Sequence, residues 1–139
     1  MDTAVELAFG DGEYRFWLPL PQVFELQRKT GDTSILVLEH RLRGAIGLTE
    51  DKTPVFAGGG EALVADALQT IRLALIGGNH GMVDGEQVQV GPVRAKEMVD
   101  TYCYPSRPFG EAVVLAWRIL HAAIHGIELK KKTDDSVEP

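Results

Sequence analysis

The stretch "EALVADALQTIRLALI" at 61–76 constrains the chain more than any other. Val64, Ala67, Leu68, Ile71, Ala74 and Leu75 recur at steps of three and four residues, the spacing that places side chains in one stripe along an α-helix. Asp66, Gln69 and Thr70 stand opposite them. A stripe of this length has to be buried, so the pattern predicts a helix over 61–76 at the centre of a packed core. It breaks at Gly77, inside "LIGGNHGM".

Four further helices follow from the same reasoning. Over 108–125, Val113, Ala116, Trp117, Leu120, Ala123 and Ile124 form a broad stripe that Gly126 terminates. Over 92–103, Pro92 opens a helix with Ala95, Met98, Val99 and Tyr102 on one face. Over 33–44, Ile35, Leu38 and Leu42 face inward and Glu39, His40 and Arg43 outward, with Asp32 or Thr33 as the cap. Over 21–30, Pro21 sits in the first turn, Val23, Phe24 and Gln27 share one side, and Gly31 supplies the left-handed stop.

The N-terminal segment has a different period. Two runs rich in Val, Phe, Tyr and Trp flank "GDG", which predicts a β-hairpin over 3–18 with a three-residue turn. Tyr14, Phe16 and Leu18 form its apolar face, leaving Glu13, Arg15 and an exposed Trp17 on the other. The stretch 48–61, with Pro54 and Gly58–Gly60, reads as the longest loop. "MVDGEQVQVGP" reads either as a small hairpin about Asp84-Gly85 or as an extended connection. The expected fold is therefore α+β and mostly α: a hairpin followed by five helices in one domain over 1–126, then a flexible charged tail over 127–139.

Composition narrows the function. A net charge of −6 argues against a nucleic-acid partner, and "LKKKT" at 129–133 is followed at once by "DDSVEP". No apolar run reaches the roughly 18 residues of a membrane span, and "MDTAVELAF" has no basic stretch before its apolar residues. A soluble protein synthesised in the cytosol is expected, without a membrane partner. The single cysteine, Cys103, excludes an internal disulfide; near a helix end and without a neighbouring base it reads as a small buried hydrophobe.

The candidate chemical groups are few. "GGNHGM" follows a helix and lacks a lysine and hydroxyl, so it is no phosphate loop. "AGGGEAL" at 57–63 is better placed, before a helix, but lacks the rest of the motif. Of His40, His80, His121 and His125, the last two are four apart and share a helical face, the spacing of a zinc pair. Ala122 stands where a metalloprotease would carry glutamate, no third ligand is identifiable, and Arg118 on the same face would oppose a cation. No nucleophile elbow or acid pair is present. The reading is a non-enzyme with no catalytic, cofactor or metal residues.

The order of "VELAFGDGEYRFWL", "ELQRKTG", "ILVLEHRL", "ALQTIRLALIGGNHG" and "AKEMVDTYCYPSRPFGEAVVLAWRILHAAIHG" resembles the gene transfer agent and phage tail family of small proteins encoded among tail genes, over roughly residues 4 to 126. That family is labelled a tail tube protein and is similar to the tail assembly chaperones encoded before the tape-measure gene. The resemblance implies no catalysis and no cofactor. It implies binding to the tape-measure protein, to tail tube subunits or to further copies of the chain. In its light "LIGGNHGM" is a helix end whose glycines reverse the backbone, with His80 exposed. The long 48–61 loop and "MVDGEQVQVGP" depart from the family pattern. Three functions follow as expectations: a tail assembly chaperone, a virion-associated structural subunit of the tail tube, or a small metal-dependent enzyme using His121 and His125.

Overall fold

The computed structural model describes residues 2–127. Its elements run β1 (Val5–Phe9), β2 (Gly12–Phe16), α1 (Leu20–Lys29), α2 (Ile35–Arg43), β3 (Ile46–Leu48), β4 (Pro54–Phe56), α3 (Val64–Gly78), β5 (Gly81–Val83), β6 (Glu86–Val88), α4 (Pro92–Tyr102) and α5 (Phe109–His125). The fold is α+β and mostly α, with a β-hairpin followed by five helices. Residues 128–139, the greater part of the expected tail, lie outside the described residues. Ile127 itself is not loose: its N–H donates to the Asp2 carbonyl at 2.7 Å, forming an antiparallel bridge.

The hairpin pairs Val5 with Phe16 through to Phe9 with Gly12. Because Gly12 is already paired, the turn is Gly10-Asp11, two residues rather than the expected three. Gly10 has φ +59, as a two-residue turn with glycine at its first central position requires. Tyr14, Phe16 and Leu18 are buried as the alternation demands. Trp17 is only half-exposed, since its indole N–H donates to Thr3 Oγ1 at 3.0 Å and the Arg15 guanidinium covers the ring.

Of the two readings of "MVDGEQVQVGP", the hairpin is the one found. Asp84 and Gly85 both have positive φ, 52 and 81, the conformation of a type I′ turn. Strand β5 then pairs with β2, so the N-terminal hairpin becomes one half of an antiparallel sheet ordered β1-β2-β5-β6. A second departure is the 48–61 loop, which contributes β4 to a separate ribbon with β3.

Helix α3 is central, packing against α1, α4, α5 and β2. It begins at Val64 rather than 61, and Val64 itself is exposed. Being enclosed on several sides, it also buries the residues that its period places opposite the stripe. Asp66 is 1% exposed and Thr70 fully buried. Burying polar groups is tolerable only when they find partners. The Thr70 hydroxyl donates to the Asp66 carbonyl at 2.7 Å, and the Asp66 carboxylate accepts from the Leu63 N–H at 2.8 Å and from Arg41 at 3.3 Å.

Two outer helices need similar correction. In α2, Glu39 faces inward at 5% exposure, accepting from Trp117 Nε1 and from Arg43, each at 3.0 Å. Ser34, rather than Asp32 or Thr33, caps that helix by accepting from the Leu36 N–H. In α1, Leu26 is fully buried while Phe24 is 63% exposed. The face that α1 turns to α3 follows the step Val23, Leu26, Thr30, which leaves Phe24 outside.

The "LIGGNHGM" stretch does something other than reverse on its glycines. Helix α3 runs through Gly77 and Gly78, and the left-handed residue is Asn79, at φ 49. A Cβ on Gly77 would strike the Trp17 carbonyl, and one on Gly78 the Arg15 carbonyl. The glycines thus permit close approach of helix to strand. The contact is hydrogen-bonded: Trp17 N–H donates to the Ala74 carbonyl at 3.0 Å and Arg15 N–H to the His80 carbonyl at 2.9 Å. His80 is half-buried there, not exposed.

Candidate partner-binding groove

The histidine pair lies where the sequence places it. On α5 the rings of Trp117, His121 and His125 stack in succession, with centroids 4.8 and 4.6 Å apart. Burial, and secondarily His125, holds the His121 imidazole below its ordinary pKa; Glu39 opposes that shift. Arg118 does not complete this face but lines a groove on α5 formed with β1. Among the described residues no group of three His, Cys, Asp or Glu side chains is arranged to hold a metal ion. His40 lies apart, at the end of α2 beside Arg41 and Arg43.

The remaining candidates are equally confined by their surroundings. Cys103 is buried, and desolvation first and Glu111 second push its thiol up to about 11, which suppresses the reactive thiolate. Gly58, Gly59 and Gly60 all have positive φ before α3. Yet the Leu63 N–H at the start of that helix already donates to the Asp66 carboxylate. A bound anion there would meet a fixed negative charge.

The feature that the sequence reading did not locate is a groove of about 640 Å³ beside β1. β1 is the edge of its sheet: β2 pairs with one side, and among the described residues no strand pairs with the other. Val5, Leu7 and Phe9 turn towards the core, and Glu6 and Ala8 are exposed. Past this edge α5 continues under empty space, its Ala112, Val114 and Leu115 forming the floor with Leu7, Phe9 and Cys103. Tyr102 closes one end, packed so tightly on Gly10 that a Cβ there would meet its ring.

The turn at that end is held in place. Tyr14 OH donates to Asp11 at 2.6 Å, and Arg94 of α4 donates to the same hydroxyl at 3.1 Å. Burial first, then the Asp11 hydrogen bond, raises the Tyr14 pKa, keeping it a neutral donor. At the rim Arg107 and Glu111 pair through two bonds of 3.0 and 2.9 Å. Arg118 makes no ion pair among the described residues.

An edge strand beside an apolar floor can pair the backbone of an extended segment and bury alternate side chains of it. Cys103 lines the groove together with Glu111, and burial and that carboxylate both hold the thiol protonated. The sequence signal was present in "EAVVLAW", where Val114 and Leu115 lie off the stripe that α5 gives to the core. A helix apolar on two faces needs two coverings. No family model, curated protein or solved structure matches the chain. No described helix is long and apolar enough to cross a membrane.

Proposed function

We propose that this protein is a phage or gene transfer agent tail assembly protein, acting in the cytoplasm as a chaperone that holds a segment of the tape-measure protein or of the tail tube subunit. The observation that carries the reading is the edge of β1, unpaired among the described residues, set above the apolar floor of α5. The resemblance of residues 4 to 126 to small tail-gene proteins supplies the partner. A chaperone of this kind needs a surface that takes an extended, apolar segment reversibly, and strand addition does so through main-chain hydrogen bonds with little demand on sequence.

Co-expression with the tape-measure protein should give a complex on gel filtration, and Ala8→Arg or Val114→Arg should abolish it. Separate elution of the two wild-type proteins would overturn the proposal. Mass spectrometry of purified particles separates this role from that of a tail tube-associated subunit: the chaperone is absent from the particle, the subunit present in many copies.

A further inference from the structure

We infer that the groove selects an extended partner segment in which one carboxylate and two apolar side chains occupy alternate positions, with the carboxylate at the Arg118 end. The inference rests on the reading of the groove as a strand-accepting site, and it names the chemistry of the segment that this site takes.

The pairing of the hairpin fixes which main-chain groups the segment meets. In β2, Arg15 N–H donates to the His80 carbonyl and Trp17 N–H to the Ala74 carbonyl, both away from β1. Residues of an antiparallel pair alternate between bonding their partner strand and facing away from it. Tyr14 and Phe16 therefore bond to Leu7 and Val5, while Glu6, opposite Arg15, and Ala8, opposite Glu13, turn their N–H and C=O groups to the open edge. The chain already uses this edge once, where Ile127 N–H donates to the Asp2 carbonyl in an antiparallel bridge. That bridge closes the slot at one end, and the Tyr102 ring against Gly10 closes it at the other. Between them there is room for a segment of about five extended residues.

Helix α5 selects the side chains. Its C-terminal end is tied to Asp2 through Ile127, and Glu111 near its start acts on the Cys103 thiol next to Tyr102, so it runs antiparallel to β1. Along it, Leu115 and Ala112 lie about 4.5 and 9 Å from Arg118. The inward side chains of a strand are about 6.6 Å apart. An inward residue level with Arg118 thus places the next over Leu115 and Ala112, and the one after that against Cys103 and Tyr102. Arg107 and Glu111 on the rim neutralise one another through bonds of 3.0 and 2.9 Å. Arg118 makes no ion pair among the described residues, which leaves it the net charge of the lining. The groove therefore asks for one acid at that end and apolar residues at the next two inward positions. Glu6 and Ala8 face solvent, so the residues beside them are unconstrained.

Titration of the full, isotope-labelled chain with synthetic peptides, followed by amide NMR shifts, tests this. The probes are the acetylated and amidated peptide Thr-Asp-Thr-Val-Thr-Val-Thr and its counterpart with Lys in place of Asp, each made in both chain directions. The Asp peptide should shift the Glu6 and Ala8 amides and, in its better direction, bind about fivefold more tightly than the Lys peptide, the scale of one exposed ion pair. Arg118 is exposed, so Arg118→Glu keeps the fold and should reverse that preference, which a merely structural role for the residue would not do. Absence of shifts at Glu6 and Ala8 with every peptide overturns the inference, as does equal binding of the Asp and Lys forms or a preference that Arg118→Glu leaves unchanged. The tape-measure complex reads out separately. If it forms while the peptides show no preference for Asp, the chaperone reading stands and this inference falls; if the preference is found while the tape-measure protein elutes alone, the groove keeps its specificity and the tail partner is lost.

Discussion

The two strands of the N-terminal hairpin differ in what lies beyond their outer margins. β2 runs against β5 and then against the end of α3, where Gly77 and Gly78 bring the helix backbone onto the strand and Arg15 and Trp17 donate to it. Its backbone is paired on both margins, and its Tyr14 and Phe16 side chains are buried. β1, also five residues long, ends the sheet among the described residues and looks onto a groove. One hairpin thus carries a margin that holds the fold together and a margin that is available, and substitutions should divide accordingly.

The largest effect is expected at Gly78. Ala is ordinarily the better helix residue by about 1 kcal/mol, but here its methyl would meet the Arg15 carbonyl, which is backbone and cannot step aside. Gly78→Ala should therefore cost about 3 kcal/mol in chemical denaturation, the scale of overpacking. A stabilised variant would mean that strand and helix are not held at this distance, and the contrast between the two margins would disappear.

The next largest lies on the other side of α5, at Glu39. Its carboxylate takes the Trp117 N–H and one Arg43 N–H while 5% exposed. Glu39→Ala leaves a half-buried indole N–H without its acceptor, and should cost about 2 kcal/mol. Glu39→Gln, which keeps an acceptor oxygen, should recover part of that loss. Equal losses in the two variants would show that the charge, and not the hydrogen bond, matters at this position.

These two sites also show which parts of the fold were legible in the sequence. Periodicity located α3, α4 and α5 because their burial is set by local spacing: Ala95, Met98 and Val99 needed nothing but α4 itself to be recognised. Glu39, Asp66 and Thr70 were misplaced because their burial is decided by elements far away in sequence, Trp117 lying 78 residues from Glu39. The glycines of "LIGGNHGM" signalled a special backbone correctly, but close approach and reversal look the same in one dimension. The groove was not legible as a site at all: Leu7 and Leu115 come together only when the hairpin settles on α5. What could be read was the surplus of apolar residues on α5.

At the open margin the expected change in stability is small and the change in binding large. Ala8 is exposed on β1 and Val114 half-exposed on α5. Ala8→Arg should alter stability by less than about 0.5 kcal/mol, as exposed substitutions do, and Val114→Arg, at a half-exposed position, by somewhat more, while each removes the tape-measure complex. If either variant instead unfolds the protein, β1 is no freer than β2 and the comparison fails.

The smallest effect sharpens the division within α5, between the groove face and the face turned to α2. His121, stacked between Trp117 and His125, has its pKa lowered mainly by burial and next by the neighbouring imidazole. A depressed histidine pKa means that the folded state binds its proton less readily than the unfolded chain, so the linkage has a definite sign. The contribution of the neutral ring is fully present above the unfolded pKa of about 6.5 and is lost as pH falls through that value towards the lower folded one. Thermal melts should therefore show stability declining below about pH 6.5, and His121→Gln should flatten that decline without changing the pH dependence of partner binding through the groove. Should binding and stability lose pH dependence together in His121→Gln, the two faces of α5 are coupled. The open margin would then be governed from the closed side of the molecule.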